Sequence, residues 1–417
     1  MPKQQKNHNK TAIVGGGAAG FFLAINLKEM CPDMGVTIFE RGEKVLTKVR
    51  VSGGGRCNCT NSFEDVSDLS HVYPRGHKLM KRLFRNFDHR NAYEWFERHG
   101  VRLVTQEDNC VFPAAQDSQV IIDCFLYHCR RLGVEVKRKS TITSLDELAD
   151  FDYIALTTGG QPRLERLQWL ADMGHEIVAP VPSLFTFSIN DADLRALMGT
   201  VVENAVAFIP GTKFRAAGPL LITHWGMSGP AILKLSSYAA RHLAEAAYHA
   251  PLAINWTGMD EDGVRSHLVE LFAQNPRKQL ASLRPFNLPA RLWEYIIHKA
   301  ILAREPQALS AANDLTALGK RHLNRLVATL TADPYTISSR APFRDEFVTC
   351  GGVALTAVNP STLESRHRPH LYFAGELLDI DGITGGFNFQ AAWTTAFTVA
   401  QSIAASAKAR DEAGTDV

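Results

Sequence analysis

The sequence lacks any uninterrupted apolar stretch as long as a membrane-spanning helix needs, which is about 18 residues or more. The first ten residues, MPKQQKNHNK, and the apolar run after them resemble the start of a secretory signal peptide. That run, however, carries Gly15, Gly16, Gly17 and Gly20, and no convincing cleavage site follows it. We therefore expect a cytoplasmic protein without a membrane partner.

Cysteine is also scarce, and its spacing excludes two kinds of site. The chain has 7 cysteines, an odd and scattered number, and no Cys-x-x-Cys pair. We therefore expect reduced thiols rather than a thioredoxin-like redox centre. Cys57 and Cys59 are one residue apart, and Cys124, His128 and Cys129 can share one helix face. Neither group has a second half that would complete a four-ligand zinc site, so the sequence predicts no metal.

Positive and negative charges nearly balance, because the formal net charge is only +2. The chain as a whole therefore gives no electrostatic argument for binding to nucleic acid or to a membrane. The segment from His71 to Arg102, called the basic segment below, differs because its cations outnumber its acids and aromatic residues lie between them. Its cations are Arg75, Lys78, Lys81, Arg82, Arg85, Arg90, Arg98 and Arg102.

Two interpretations of the basic segment remain open. In the first, which we favour, an amphipathic helix places the aromatic side chains in the core and the cations in water. In the second, the segment binds phosphate backbones and stacks on bases, as basic surfaces with aromatic side chains do.

The sequence does contain a dinucleotide-binding pattern close to its start. The run at 11–15 predicts a short buried strand, and Gly15, Gly17 and Gly20 form a G-x-G-x-x-G motif that leads into a helix. These glycines allow a tight turn, close approach of the backbone to a pyrophosphate, and close contact between helix and strand. A second strand ends in Glu40, 20 residues after Gly20, where a carboxylate can accept hydrogen bonds from a ribose.

A second glycine-rich segment follows and also carries cations. Between Lys44 and Asn58 lie three successive glycines, Gly53–Gly55, together with Lys48, Arg50 and Arg56. The backbone N–H groups of such a run can approach an anion or a flat ring, and the arginines can neutralise phosphate. We predict a ligand-binding loop here rather than a flexible linker.

Two later strands end in glycine in the same way. The apolar strand at 153–160 ends in paired glycines, and the strand at 371–376 ends in Gly375 and Glu376. The glycine-rich run 377–393 then leads into a helix. A strand, a glycine-rich loop and a new helix N-terminus together make a second anion-binding device.

The order of these patterns predicts a mixed α/β protein in which an insert interrupts a nucleotide-binding domain. With 417 residues, the chain is long enough for two or three domains. We place the nucleotide-binding domain at 1–183 and 341–417, a small β-barrel domain at 184–258 and 333–340, and a helical insert domain at 259–332.

Five stretches together carry a family resemblance: IVGGGAAG, VSGGGRCNCTN, THWGMSGPA, VTCGGV and YFAGELLDIDGITGGFNFQAAW. With this combination the sequence resembles, over nearly its whole length, the YhiN/BaiN-like FAD-dependent oxidoreductases, a family that includes proteins called aminoacetone oxidases. The resemblance implies tightly and non-covalently bound FAD in a glutathione-reductase-type Rossmann domain, interrupted by a β-barrel and a small helical domain. Family members often have a Gly-Ser-Thr-Gly-Asp-Gly-Tyr-like loop where Gly160 here runs into Gln161 and Pro162. We expect the wall of the site, and with it the choice of substrate, to differ there.

The resemblance also implies roles for particular positions. The motif glycines would hold the FAD pyrophosphate, Glu40 the adenosine ribose, and Gly53–Asn58 the isoalloxazine ring. Gly375, Glu376 and Asp379 would meet the ribityl–pyrophosphate side, and Gly385–Asn388 the flavin. The full set of predicted FAD-binding residues is Gly15, Gly17, Ala18, Ala19, Gly20, Glu40, Arg41, Lys48, Ser52, Gly53, Gly54, Gly55, Arg56, Cys57, Asn58, Thr158, Gly159, Gly160, Gly375, Glu376, Asp379, Gly385, Gly386, Phe387 and Asn388.

Two residues are candidates for delivering a proton to the substrate. Cys57 lies next to Arg56, which is expected to lower the pKa of the thiol. His224 lies on the barrel side of the chain. A packing role remains open for each of them, because only geometry can decide.

Three functions remain open at this point. The first is a small-molecule FAD reductase or oxidase that uses NAD(P)H or reduces an enone-like substrate. Because only one complete dinucleotide motif is present, we expect NAD(P)H to dock transiently. The second is the flavin-dependent reduction of a uridine to dihydrouridine in large-subunit ribosomal RNA, with which some relatives are associated. A module with purely structural FAD is the least expected, because the loops that would face the flavin are intact.

Overall fold

The computed structural model describes residues 9–303, 305, 319–340 and 348–415. The chain divides into two compact units, the first made of Met1–Val181 and Val348–Val417 and the second of Pro182–Phe347. Strands and helices are numbered here in chain order through both units.

The first unit contains a five-stranded parallel sheet, smaller antiparallel pairings and the helices around them. Its strands are β1 (Lys10–Val14), β2 (Gly35–Phe39), β3 (Thr60–Asn61), β4 (Leu103–Thr105), β5 (Cys110–Pro113), β6 (Glu135–Lys137), β7 (Tyr153–Leu156), β8 (Ile177–Ser183, which ends at the boundary), β15 (Val348–Val353) and β16 (Leu371–Phe373). Its helices are α1 (Ala18–Met30), α2 (Thr47–Gly55), α3 (His77–Leu83), α4 (His89–Arg98), α5 (Ser118–Arg131), α6 (Gln168–Asp172) and α13 (Phe387–Thr415).

The parallel sheet has the strand order β16-β7-β1-β2-β6, so β1 lies at its centre. Val14, the last residue of β1, pairs with Phe39 of β2 and with Leu156 of β7, and the three strands therefore end at the same edge. Four of the five residues of β1 are buried, as is typical of parallel strands that helices cover. In open α/β folds, ligands bind at the carboxyl edge of the sheet.

Aromatic side chains form much of the core beside this sheet. The ring centroid of Phe22 in α1 lies 4.5 Å from that of Trp95 in α4 and 5.1 Å from that of Trp393 in α13. Trp95 belongs to the basic segment, and Tyr73 and Phe87 of the same segment are buried too. These aromatic side chains therefore face the core, in agreement with the amphipathic interpretation that we favoured.

The region around the three successive glycines differs from the interpretation of residues 44–58 as a loop. Helix α2 begins there at Thr47, and its backbone departs from helical angles at Ser52, Gly53 and Gly54. Only Val49 of α2 is buried. The sequence therefore carries no apolar periodicity from which this helix could be recognised.

The second unit is built on a closed six-stranded barrel with the strand order β10-β11-β12-β9-β14-β13. Its strands are β9 (Phe187–Ile189), β10 (Val201–Phe208), β11 (Arg215–Ile222), β12 (Gly226–Ser228), β13 (Ala250–Asn255) and β14 (Asp333–Arg340). Its helices are α7 (Ala192–Arg195), α8 (Pro230–Tyr238), α9 (Ala240–Glu245), α10 (Glu261–Gln274), α11 (Ala290–Ile297) and α12 (Lys320–Ala332), with a π-helical segment at His298–Leu302.

Helices α10–α12 fall in the segment 259–332 that we expected as a helical domain of its own. Their buried side chains, such as Trp293 and Leu330, share one hydrophobic cluster with barrel residues such as Phe187 and Ile254. The apolar faces of these helices are thus covered by the barrel. Residues 304 and 306–318 of the expected helical domain, and residues 341–347 at the predicted return of the nucleotide-binding domain, lie outside the described residues.

A single structural observation bears on membranes. In the described part of the chain, no helix has both the length and the apolar character that crossing a bilayer requires.

Candidate functional site

The three glycines of the first motif lie in different surroundings, and this separates their roles. A Cβ atom at Gly15 would lie 2.3 Å from the carbonyl oxygen of Thr157, and one at Gly20 would lie 2.1 Å from the carbonyl oxygen of Gly15. Both positions therefore require glycine so that β1, α1 and the end of β7 can pack closely. A Cβ atom at Gly17 would meet no atom within 4 Å, so this glycine borders open space.

Helix α1 presents its N-terminus to this open space. Gly17 is its N-cap residue, and no side chain caps the helix. The free N–H groups and the positive end of the helix dipole can therefore attract an anion. Ala18 and Ala19, the next two residues, have side chains small enough to leave the approach open.

Glu40 follows β2 and lies beside the glycine turn. Its carboxylate oxygens accept hydrogen bonds from the N–H groups of Gly16 at 2.9 Å and Gly42 at 2.7 Å. These bonds fix the orientation of the carboxylate, and each oxygen retains a further lone pair for a ribose hydroxyl. The structure thus places Glu40 where the motif spacing predicted it. Arg41, the next residue, is exposed.

A third group of predicted residues meets at the ends of β7 and β16. Glu376 accepts a hydrogen bond from the Thr349 N–H at 2.9 Å, and its other oxygen lies 2.7 Å from Nζ of Lys48. A Cβ atom at Gly160 would lie 2.6 Å from Oγ1 of Thr349 and 2.8 Å from a carboxylate oxygen of Glu376. Lys48, Gly160 and Glu376 are therefore close neighbours. The other predicted residues here are partly buried and follow the same strands: Thr158, Gly159 and Asp379, with Gly375 buried beside them.

The glycine run at the end of α2 leaves an open surface. Gly53, Gly54 and Gly55 have φ angles of +57°, +69° and +87°, a conformation that favours glycine. Cβ atoms at Gly54 and Gly55 would meet nothing within 4 Å, and Val51 just before them is 68% exposed. An apolar side chain beside an open backbone is a surface that a flat ring can cover.

The two residues after this run that we expected at the flavin are held by protein contacts. The Arg56 guanidinium lies 4.2 Å above the ring of Phe112 and donates to Gln116 at 3.2 Å. In the amide orientation that satisfies both of its ends, Asn58 donates to the Thr60 carbonyl at 2.8 Å. Ser52 donates to a backbone carbonyl within α2.

The loop after the glycine run directly contacts the glycine-rich run near the end of the chain. The side-chain amide of Asn61 donates to the Gly385 carbonyl at 3.0 Å. A Cβ atom at Gly386, whose φ is +91°, would lie 2.2 Å from the carbonyl oxygen of Thr60. Gly386 must therefore be glycine, and the two glycine-rich loops pack against each other in the first unit.

Phe387 and Asn388 have roles inside this loop. Asn388 both donates to the carbonyl and accepts from the N–H of Gly382, each at 2.8 Å. Phe387 is 5% exposed, its ring centroid lies 5.1 Å from that of Phe63, and its carbonyl accepts from the Tyr73 hydroxyl. Both residues belong to the stretch Gly385–Asn388 that we expected at the flavin. Their side chains make contacts within the protein, while Gly385 and Gly386 are partly exposed.

The two candidate proton donors lie in different units. Cys57 is 0% exposed, and its Sγ lies 3.9 Å from Sγ of Cys59, whose pKa burial raises well above its ordinary value. The Cys57 thiol therefore points into the protein, which favours packing over proton delivery. His224 is exposed in the turn between β11 and β12, with its ring centroid 4.8 Å from that of Trp225.

One cation of the basic segment is not available to a phosphate. Arg75 forms a bidentate ion pair with Asp381, with 2.6 Å between Nε and Oδ1. The side chain of Asp381 is 0% exposed and that of Arg75 is 15% exposed. The nucleic-acid interpretation therefore has to omit Arg75. The exposed cations of the segment are Lys78, Lys81, Arg82, Arg85, Arg90, Arg98 and Arg102.

Three residues that support the site were missed by the sequence analysis. Thr157 donates from its hydroxyl to the Gly15 carbonyl at 2.9 Å, while Asn61 and Thr349 make the contacts given above. Asn61 and Thr349 stand inside the stretches VSGGGRCNCTN and VTCGGV, and that membership could have identified them. Thr157 carries no signal beyond its place at the end of a strand.

The described part of the chain contains no candidate metal site. No group of three or more His, Cys, Asp or Glu side chains there could hold a metal ion.

The residues present fit FAD. The open space at Gly17 and the uncapped helix suit a pyrophosphate, Glu40 suits a ribose, and the surface from Val51 to Gly55 suits a ring system. A parallel sheet with this turn at its carboxyl edge defines the class, a Rossmann-type FAD-binding protein.

Comparison with known proteins agrees with this class. A family model described as the HI0933-like protein Rossmann domain matches residues 9–402, and the chain belongs to this family. The resemblance to YhiN/BaiN-like flavoproteins is therefore confirmed, and the chain is an FAD-dependent oxidoreductase.

Two relatives and one solved structure are similar to this chain over most of its length. A "ribosomal RNA dihydrouridine synthase" of Haemophilus influenzae is 25% identical over 95% of this chain and 98% of its own length. A "3-dehydro-bile acid delta(4,6)-reductase" of Clostridium scindens is 26% identical over 95% and 99%. The structure of 3-ketosteroid delta1-dehydrogenase from Sterolibacterium denitrificans covers 95% of this chain and 100% of its own, at 12% identity and a TM-score of 0.46.

Proposed function

We propose that the chain is an NAD(P)H-linked reductase that acts on a carbon–carbon double bond next to a carbonyl group. The observation that carries the proposal is the contact between the two glycine-rich loops, at Asn61–Gly385 and Thr60–Gly386, in the same unit as the dinucleotide turn. The names of the two relatives described above both refer to reduction of such a bond.

The protein's own groups would bind and orient the reactants. The N-terminus of α1 would hold the pyrophosphate and Glu40 the ribose. Helix α13 begins at Phe387, and the positive end of its dipole would stabilise negative charge that develops beside the Gly385–Gly386 backbone. FAD, when bound, supplies the hydride chemistry.

The electron source gives the first prediction. When the FAD-loaded protein is mixed anaerobically with NADH or NADPH, at least one should bleach the visible flavin absorption. A single dinucleotide motif leaves the nicotinamide without a domain of its own, so the bleaching rate should rise with nicotinamide concentration over a wide range. Stopped-flow absorbance measures both quantities.

Free FAD without protein is the negative control, and dithionite shows that the bound flavin can be reduced. A flavin that dithionite bleaches but neither nicotinamide bleaches would exclude NAD(P)H as the reductant.

A second candidate substrate is a uridine in ribosomal RNA. Exposed cations such as Lys78, Lys81, Arg82 and Arg85 favour it, because they lie in the same unit as the two loops and can contact phosphates. The name of the Haemophilus influenzae relative points to the same substrate.

The RNA candidate predicts a change in RNA from a strain that lacks the protein. One uridine in its large-subunit ribosomal RNA should be lighter by the mass of two hydrogen atoms, because its double bond is no longer reduced. Mass spectrometry of nuclease fragments measures this. Expression of the wild-type chain should restore the mass, and expression of the Gly20→Ala variant should not. Identical fragments with and without the protein would exclude this RNA as the substrate.

A further inference from the structure

In the first unit, a cavity of about 590 Å³ has four cations among its seven lining residues. Its lining consists of Lys78, Lys81, Arg82, Leu83, Arg85, Asn86 and Ser361. The charge at this cavity is therefore +4 with no acid, although the net charge of the whole chain is only +2.

Helical spacing places these four cations on one side of α3 and the turn after it. Lys78 is followed by cations three and four residues later, and Arg85 follows Lys81 by four and Arg82 by three. Like charges at these spacings repel each other and destabilise a helix by about 0.2–0.5 kcal/mol per pair. In the described part of the chain, none of the four takes part in an ion pair that would offset this repulsion.

Stabilisation of α3 does not account for all four cations, Lys78, Lys81, Arg82 and Arg85, which are called the cluster below. Lys81 and Arg82 lie in the last turn, where a cation favours the helix dipole, but Lys78 lies in the first turn, where a cation opposes it. Arg85 lies beyond the end of the helix. Two of the four cations therefore have no role in stabilising α3.

The cluster has a fixed position relative to the glycine-rich loops. Arg82 donates to the Ser361 hydroxyl at 2.5 Å, which holds one wall of the cavity to the other. Phe84, within the cluster's own sequence, has its ring centroid 5.5 Å from that of Phe63, and Phe63 contacts Phe387 at the start of α13. The segment that carries the four cations is therefore connected, through Phe84 and Phe63, to the start of α13 beside Gly385–Gly386.

We propose that this cavity binds the phosphodiester backbone of single-stranded RNA and so presents one nucleotide to the two glycine-rich loops. The inference rests on the second candidate function, the reduction of a base in RNA. An RNA backbone suits the cavity better than a lone phosphate ion does, because four cations spread over residues 78–85 match a chain of charges. Arg75 is not part of the site, since Asp381 holds it.

The test measures RNA binding by the FAD-loaded protein. The probe is a fluorescein-labelled single-stranded RNA of about 12 nucleotides, and fluorescence anisotropy is recorded over a range of salt concentrations. The variant K78E/K81E/R82E/R85E should bind at least about tenfold more weakly at low salt, and the slope of log affinity against log salt should fall by about 2 to 3, as expected when four phosphate contacts are lost.

The matched control is R130E/R131E/R138E/R166E, which changes four exposed cations of the same unit outside the basic segment. It carries the same change in net charge and should keep wild-type affinity. FAD content and thermal midpoint are measured for both variants. If the reversal variant loses FAD, the neutral K78Q/K81Q/R82Q/R85Q variant replaces it, with at least about a threefold loss expected.

Four results would overturn the inference. The first three are equal weakening in the control, no weakening in the reversal variant, and wild-type binding to poly-glutamate as strong as to RNA. Complete displacement of the RNA by low concentrations of inorganic phosphate would also overturn it, since the cavity would then be a site for a single phosphate group. Flavin reduction by NAD(P)H is measured separately on each variant. The oxidoreductase proposal can therefore fail or stand independently of the RNA result.

Discussion

A Gly20→Ala variant should lose both stability and FAD. The new Cβ atom would lie 2.1 Å from the carbonyl oxygen of Gly15 and 2.8 Å from Oγ1 of Thr157, and backbone atoms cannot rotate away. Helix α1 would have to move off the sheet, at an expected cost of about 3 kcal/mol in the free energy of unfolding. For a unit of this size, that corresponds to a midpoint lower by about 6–12 °C. Differential scanning fluorimetry with and without FAD measures it.

A Gly17→Ala variant should separate cofactor binding from folding. The added methyl group would meet no protein atom within 4 Å, and φ at Gly17 is −96°, which alanine adopts without strain. The protein should therefore keep its midpoint without FAD. Because the methyl group would stand where the pyrophosphate approaches, FAD affinity should fall about 10- to 100-fold. Fluorescence titration of the apoprotein with FAD measures this.

The control for both variants is Gly319→Ala. Its Cβ atom would also meet nothing within 4 Å, and it lies in the second unit with φ of −65°. It should leave both the midpoint and the FAD affinity unchanged. Wild-type FAD affinity in Gly17→Ala would show that the pyrophosphate does not lie at the start of α1.

The contrast between these glycines shows how far the sequence alone can predict the site. The turn at 15–20 and the acid at Glu40 follow from local patterns, since neighbouring strand and helix must pack and the chain spacing fixes the carboxylate. The contacts of Asn61 with Gly385 and of Arg75 with Asp381 join residues 324 and 306 positions apart. No local pattern encodes such pairs, because they depend on how distant parts of the chain are arranged in three dimensions.

The same reasoning applies to the surroundings of single side chains. Phe387 stands in a glycine-rich motif that we expected at the ligand, and its ring contacts Phe63 and Tyr73. From the sequence alone, a phenylalanine next to two glycines can either contact a ligand or pack in the core. Only its neighbours in the folded structure distinguish these two roles. Likewise, Cys57 and Arg56 are adjacent in sequence, but the arginine turns to Phe112 while the thiol turns to Cys59.

The buried pair of Arg75 and Asp381 gives the second large prediction. Asp381→Leu should lower the free energy of unfolding by about 3–5 kcal/mol, because it leaves a guanidinium that is only 15% exposed without its carboxylate. The pair also joins the segment before α3 to the segment before Gly385–Gly386, and these segments pack so closely that a Cβ atom at Gly76 would lie 2.7 Å from Ile380. FAD retention should therefore fall together with stability. Chemical denaturation and the ratio of bound FAD to protein measure the two effects.

The double variant R75M/D381L tests the physical cause. If the loss in Asp381→Leu comes from an uncompensated buried charge, then removing the charge as well should recover at least about half of the lost stability, since apolar side chains can replace a buried pair. The exposed pair Lys139–Glu43, with an N–O distance of 3.3 Å and side chains 69% and 75% exposed, is the matched control. Glu43→Gln should cost less than about 1 kcal/mol. If the double variant is no more stable than Asp381→Leu, the carboxylate does not act by neutralising Arg75. The loop that leads to Gly385–Gly386 would then depend on the hydrogen-bond geometry of Asp381 rather than on its charge.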